Sequence, residues 1–186
     1  IKLDELAILK ESIRLAATSY GLQSFKVKII KDKLMKEKLK SVSFNQSQIT
    51  DCSHVFVFTH LTQVEPEFID NYIRLCALER EIELSKLEGY STFMKTTLGG
   101  LHESEIRVWA SKQADIGMTN LLVACADMKI DACPIEGFES EAYNEILNLD
   151  DLGLSACVVV AVGYRADDDP NQHLRKVRLA TEDMFL

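Results

Sequence analysis

No uninterrupted apolar run in the sequence is long enough to cross a bilayer. The longest near the C-terminus, Ala156 to Val162, falls far short of the roughly 20 residues a membrane-spanning helix needs. The first residues, IKLDELAILK, lack the basic start, apolar centre and small-residue cleavage site of a signal peptide. Five cysteines, at 52, 76, 125, 133 and 157, contain no C-x-x-C pair, so neither a disulfide framework nor a zinc or iron–sulfur site is indicated. A reducing, cytoplasmic setting fits that usage. The four histidines, at 54, 60, 102 and 173, show no H-E-x-x-H spacing, and no metal is expected. Cysteine 52 and histidine 54 lie two apart on a strand-like run, where a buried structural thiol is the simpler reading than a nucleophile and its base. Basic residues are scarce: 21 Lys and Arg against 29 Asp and Glu give a net charge of −8, which argues against nucleic acid or an anionic membrane as partner. There is no G-x-G-x-x-G, P-loop or G-x-S-x-G elbow, and no internal repeat or low-complexity tract.

What is present is a 186-residue chain, 47% apolar and 27% charged, able to bury a full core as one domain over 1–186. Residues 3–17 carry apolar positions near the helical period, and FKVKII at 25–30 alternates as a half-buried strand does. A short charged helix is expected over 33–41, and a polar stretch without a period over 45–53. HVFVFTH at 54–60 reads as an interior strand. The segment 65–88 is helical in period and opens on Pro66 at a first-turn position, whereas GYSTFMKTTLGG at 89–100 breaks the pattern. A long helix follows from about Glu103 to Lys129, apolar on nearly every side between Ile116 and Met128. Such a helix calls for cover all round, in the core or across a large subunit interface. ACPIEGF at 132–138 is extended and ends in a glycine turn, ESEAYNEIL is a short helix, and SACVVVAVGY at 155–164 reads as a central strand with helices on both sides. The tail from Arg165 begins acidic and turns basic at 175–178.

The polar segments fall at element ends: TSYGLQ at 18–23, Asn45 with Gln48, Gln113 within an apolar helix, PIEG at 134–137, and Lys176 with Arg178. Amides and hydroxyls at strand ends can read the edge of a heterocycle, and paired cations can hold a phosphate. Together they suit a phosphorylated ring cofactor. Taken singly, each has a plainer reading: a turn, a solvated face, or, for Gln113, a buried amide bonded to backbone.

TSYGLQSFKV, NQSQITDCSHVFVF, W-A-x-K-Q with N-L-L after it, DACPIEGFE, SACVVVAVGYRADDD and K-V-R stand in the order seen in the flavin-dependent nitroreductases. Over almost its whole length the chain resembles that family, in the branch of the oxygen-insensitive NAD(P)H nitroreductases and dihydropteridine reductase. The resemblance implies an α+β fold with a central mixed sheet flanked by helices, and a long central helix at a homodimer interface. It implies flavin mononucleotide (FMN) bound between subunits, with NADH or NADPH as electron donor. It further implies a ping-pong cycle on nitroaromatics or quinones; a non-catalytic flavin- or ligand-binding homodimer is the alternative. On the matching positions, Thr18, Ser19, Gly21 and Gln23 resemble the turn that contacts flavin from the partner subunit, and Asn45 the residue at the pyrimidine edge. Gln48 stands where some relatives place a lysine; a neutral amide offsets the charge of reduced flavin less. Gln113 resembles the glutamine that enters the partner's flavin site. Pro134, Ile135, Glu136 and Gly137 resemble the loop over one flavin face, where the backbone N–H near Glu136 or Gly137 donates to flavin N5. Lys176 and Arg178 match the phosphate-holding pair, and Phe93 the aromatic over the substrate pocket. The family's R-[RHS]-S-x-[RK] phosphate segment has no counterpart in the chain; either residues ahead of Ile1 are expected to carry it, or flavin is expected to be held more weakly than in the relatives.

Overall fold

The computed structural model describes residues 1–185. Its elements are, in order, α1 (Leu3–Arg14), β1 (Phe25–Ile30), α2 (Lys33–Ser41), α3 (Gln48–Asp51), β2 (His54–Leu61), α4 (Pro66–Glu79), α5 (Glu88–Gly99), α6 (Glu103–Asp127), β3 (Asp131–Ile135), α7 (Ser140–Leu147), β4 (Leu154–Gly163) and α8 (Thr181–Met184). One four-stranded sheet runs β1-β2-β4-β3, which makes the fold α+β. All three pairings are antiparallel, so within the chain the expected mixed sheet is corrected to an antiparallel one. The connections account for this: α4, α5 and α6 carry the chain from β2 past one strand position to β3, which runs parallel to β2, and β4 then inserts between them, antiparallel to both.

The two inner strands are buried on both faces, as their unbroken Val, Phe and Ala runs require. Val55, Val57, Val159 and Ala161 face Leu39 of α2, Ile49 of α3, and Tyr143 and Leu147 of α7. Phe56, Phe58, Val158 and Val160 face Leu9 and Ile13 of α1 and Ala114, Leu121 and Cys125 of α6. A third core, built on Leu22, Ile69, Ile73, Met94, Leu98 and Ile106, joins α4 and α5 to the start of α6. The sheet register slips between Phe58 and Thr59, so that Cys157 is the extra residue of a bulge; its thiol donates to the Phe58 carbonyl at 3.4 Å.

Several local choices explain where elements begin. The Asp32 carboxylate accepts the Met35 N–H at 2.8 Å and caps α2. Pro66 occupies the first turn of α4. At the head of α6, Glu105 accepts the His102 N–H at 2.8 Å, while His102 Nδ1 accepts from Ser104 N. The segment expected to break the pattern at 89–100 is instead α5. Its glycines stand near its ends, and Ser91, Met94 and Leu98 form one buried face at helical spacing. Helix α6 has the expected length but not cover all round. Gly117, Leu121 and Cys125 are buried, while Val123 is 65% and Ile116 38% exposed. Among the described residues, no helix is long and apolar enough to cross a membrane.

Candidate functional site

The loop before α3 and the loop after β3 meet. Phe44 and Asn45 both take left-handed backbone, with φ of 50° and 56°. That turn sends the chain back so that Gln46 Nε2 donates to the Ser43 carbonyl at 3.0 Å and to the Gly137 carbonyl at 2.7 Å. A second strap runs from Glu139 N–H to the Val42 carbonyl at 2.9 Å. A Cβ on Gly137 would stand 3.4 Å from Gln46 Nε2 and 3.5 Å from the Phe44 ring, so the backbone there is closely approached on one side. Among the described residues, the N–H groups of Glu136 and Gly137 donate to no acceptor. Asn45 and Gln48 are exposed, with their side-chain amides unpartnered among those residues. The structure thus brings the turn that carries Asn45 against Gly137 through Phe44 and Gln46, with Gln48 following at the start of α3.

From below, α3 is anchored by a buried cation. Lys36 of α2 is 5% exposed, and its ammonium donates to the carbonyls of Thr50 at 2.9 Å and Cys52 at 2.6 Å. Those are carbonyls at the end of a helix, where positive charge is favoured.

A second group gathers around the turn before β1. Gln113 of α6 is buried; its Oε1 accepts the Ser19 N–H at 2.8 Å and its Nε2 donates to the Trp109 carbonyl at 2.9 Å. Within the chain this glutamine therefore locks the 18–23 turn to α6. Thr18 Oγ1 accepts the Gln23 N–H at 3.1 Å, and the Gln23 amide donates to the Arg14 carbonyl at 2.7 Å. Gly21 has φ +78°, and a side chain there would collide with the Tyr72 hydroxyl, so glycine is required twice over. Tyr20, itself at φ 57°, sets its ring edge-on to Tyr90 at 6.5 Å and to Phe93 at 6.2 Å between centroids. Phe93, on α5 and 55% exposed, thereby stands beside the turn. Burial, with the neighbouring Cys76 adding, pushes the Tyr72 phenol up to about 12.

Helix α6 links the two groups. Two residues after Gln113, burial raises the Asp115 carboxyl above its ordinary value and the negative charge of Glu136 raises it further. The Cys157 thiol is pushed up to about 12, mainly by burial, with Asp115 contributing. Lys176 and Arg178 join neither group within the chain. Both are exposed in the tail, and the Arg178 guanidinium donates to the Val177 carbonyl at 2.7 Å. Sequence reasoning missed Gln46, Tyr20, Tyr90, Asp115 and Lys36. For Gln46 a signal existed, since it lies inside the polar, aperiodic run that was singled out; for Lys36, one lysine among several in a charged helix, there was none.

The model of the nitroreductase family matches residues 1–164. The chain belongs to the nitroreductase family. A major NAD(P)H-flavin oxidoreductase of Aliivibrio fischeri is 29% identical, over 98% of this chain and 87% of that protein. YfkO of Bacillus subtilis, classed as an NAD(P)H nitroreductase, is 31% identical over 94% of this chain and 82% of its own. Among solved structures, the nitroreductase-type protein ydfN of Bacillus subtilis superposes with a TM-score of 0.89 at 20% identity, covering 100% of this chain and 88% of that one. A nitroreductase-type protein of Exiguobacterium sibiricum, solved in complex with FMN, gives 0.82 at 18% identity, covering 100% and 86%. These last two likenesses establish the fold.

Proposed function

We propose that this nitroreductase-family chain is an FMN-dependent NAD(P)H oxidoreductase that reduces nitroaromatics or quinones in a ping-pong cycle, working as a homodimer. The observation that carries the reading is the pair of free N–H groups at Glu136 and Gly137, strapped by Gln46 to the loop that presents Asn45 and Gln48. Two backbone donors beside two amides that both donate and accept are the chemistry an isoalloxazine edge calls for, so the residues present fit the group. The Aliivibrio fischeri relative, named a flavin oxidoreductase, and the FMN-bound structural neighbour support the same cofactor.

FMN supplies the ring that takes a hydride from NADH or NADPH and passes two electrons to an acceptor; the protein supplies orientation and electrostatics. With FMN bound, the Glu136 or Gly137 N–H would donate toward N5, Asn45 would read the pyrimidine edge, and Gln48 would offer a neutral amide beside them. Lys176 and Arg178 would hold the phosphate, reaching it from the tail of a protomer. Phe93, backed by Tyr20 and Tyr90, offers an aromatic wall against which a flat acceptor can stack. No side chain is required as nucleophile.

The dimer is supported by the exposed apolar side chains Ile116 and Val123 on α6. A site assembled from both chains would place the 18–23 turn of one protomer against the 45–48 and 134–137 loops of its partner. Initial rates with NADH varied at several fixed concentrations of menadione test the cycle. Parallel double-reciprocal lines are expected, and intersecting lines would refute ping-pong turnover. A yellow protein that oxidises no NADH with any acceptor would favour the flavin-binding homodimer without turnover.

A further inference from the structure

We propose that Gln46 is a positioning residue: its side-chain nitrogen, shared between two backbone carbonyls, aims the Glu136–Gly137 N–H groups and so sets how tightly, and at what potential, flavin is held. The inference rests on the FMN reading above. The partners of Gln46 Nε2 are the carbonyls of Gly137 at 2.7 Å and Ser43 at 3.0 Å. Carbonyl oxygens only accept, so the amide nitrogen must face them, and both of its N–H groups are engaged. Ser43 is a firm anchor. It is fully buried, its hydroxyl donates to the Leu39 carbonyl at 2.7 Å, and it meets the Tyr143 hydroxyl at 2.8 Å. Through Gln46, α2 and α7 therefore hold one peptide group of an otherwise irregular loop.

The effect on the neighbouring N–H follows from backbone geometry. The Gly137 carbonyl and the Gly137 N–H lie on successive peptide planes hinged at one Cα. At glycine those planes turn with little steric restraint. The plane that carries the Gly137 N–H is held at its own carbonyl, Glu136 O, which accepts the Phe138 N–H at 3.0 Å; with Gln46 pinning the next plane at the Gly137 carbonyl, both sides of the hinge are restrained and the free N–H keeps its direction. The left-handed backbone of Phe44 and Asn45, which non-glycine residues adopt at a cost, is what brings Gln46 back over Ser43 to make the bridge. Strain in this turn thus serves a bond to the second loop.

An N–H aimed at flavin N5 favours the oxidised ring, whose N5 accepts, over the reduced ring, whose N5 carries hydrogen. Losing the aim weakens the oxidised complex more. In the full chain reconstituted with FMN, Gln46→Met keeps the length and removes the donors, and Gln46→Glu turns acceptors toward two carbonyls. The dissociation constant for FMN is expected to rise about tenfold in the Met variant and more in the Glu variant. The two-electron midpoint potential should rise by about 30 mV, which corresponds to a tenfold difference between the oxidised and reduced complexes. Gln46→Asn, which keeps the amide and shortens its reach by one methylene, carries the test if the other two do not fold. Wild-type affinity and potential in folded variants would overturn the proposal. So would weaker binding with an unmoved potential, the signature of general loosening. A wild-type protein that takes up no FMN would instead remove the cofactor reading, and this inference with it.

Discussion

Gln113 is held at both ends of its amide, by the Ser19 N–H at 2.8 Å and the Trp109 carbonyl at 2.9 Å. Replacing it with Leu strands the Ser19 donor in a part-buried site, and urea denaturation should show a loss of about 1–3 kcal/mol. An unchanged urea midpoint would mean that water satisfies Ser19 instead. The oddness of this residue was legible, because a lone amide on an apolar helix face demands partners. Which partners was not, since Ser19 is 94 residues away in sequence and only the fold brings it near. The same holds for Gln46 and Gly137, 91 residues apart. Two buried histidines add a pH dependence. Burial holds both His54 and His60 below the ordinary histidine value of 6.5. Between that lowered value and about 6.5, the unfolded chain binds more protons than the folded one, so stability rises with pH there and is lost as pH falls. The urea midpoint should be lower at pH 5.5 than at pH 7.5, and His60→Gln should shrink the difference. A midpoint independent of pH across that window would contradict the burial argument.

Among the elements, the strands and α2 follow directly from pattern: FKVKII, HVFVFTH and SACVVVAVG carry β-branched or aromatic runs bounded by polar turns. Helix α5 was hidden because Gly89, Gly99 and three threonines depress local helix propensity. Tertiary burial of Ser91, Met94 and Leu98 against α4 overrides that weak preference. Helix α6 shows the converse, where pattern fixed the helix but left its outer face to packing with something further. Its Gly117 has a packing role that sequence alone does not reveal. A Cβ there would lie 2.7 Å from Cζ of the buried Phe25, so glycine lets helix and strand approach. Gly117→Ala should therefore destabilise the protein by about 1–3 kcal/mol through overpacking, even though alanine is the better helix former. A stabilised variant in chemical denaturation would show that the ring moves aside freely.

At the scale of the whole molecule, a sheet covered on both faces and three side-chain cores organise the chain. Within the described residues the candidate site lies in two parts, with α6 running between them. One holds the 45–48 and 134–137 loops and the other the 18–23 turn with Tyr20, Tyr90 and Phe93. In the proposed homodimer, the exposed Val123 and Ile116 and the exposed tail bearing Lys176 and Arg178 would be surfaces available to a second protomer. Sedimentation equilibrium should accordingly give twice the chain mass of 21.0 kDa. A monomer that binds FMN fully would refute the two-chain site. The most direct measurement is the visible absorption spectrum of the protein incubated with FMN and freed of excess, taken before and after NADH is added without oxygen. The account predicts a yellow protein whose flavin bands bleach with NADH and recover on adding a quinone or nitroaromatic. A protein that stays colourless, or whose bands do not change with NADH, would contradict it.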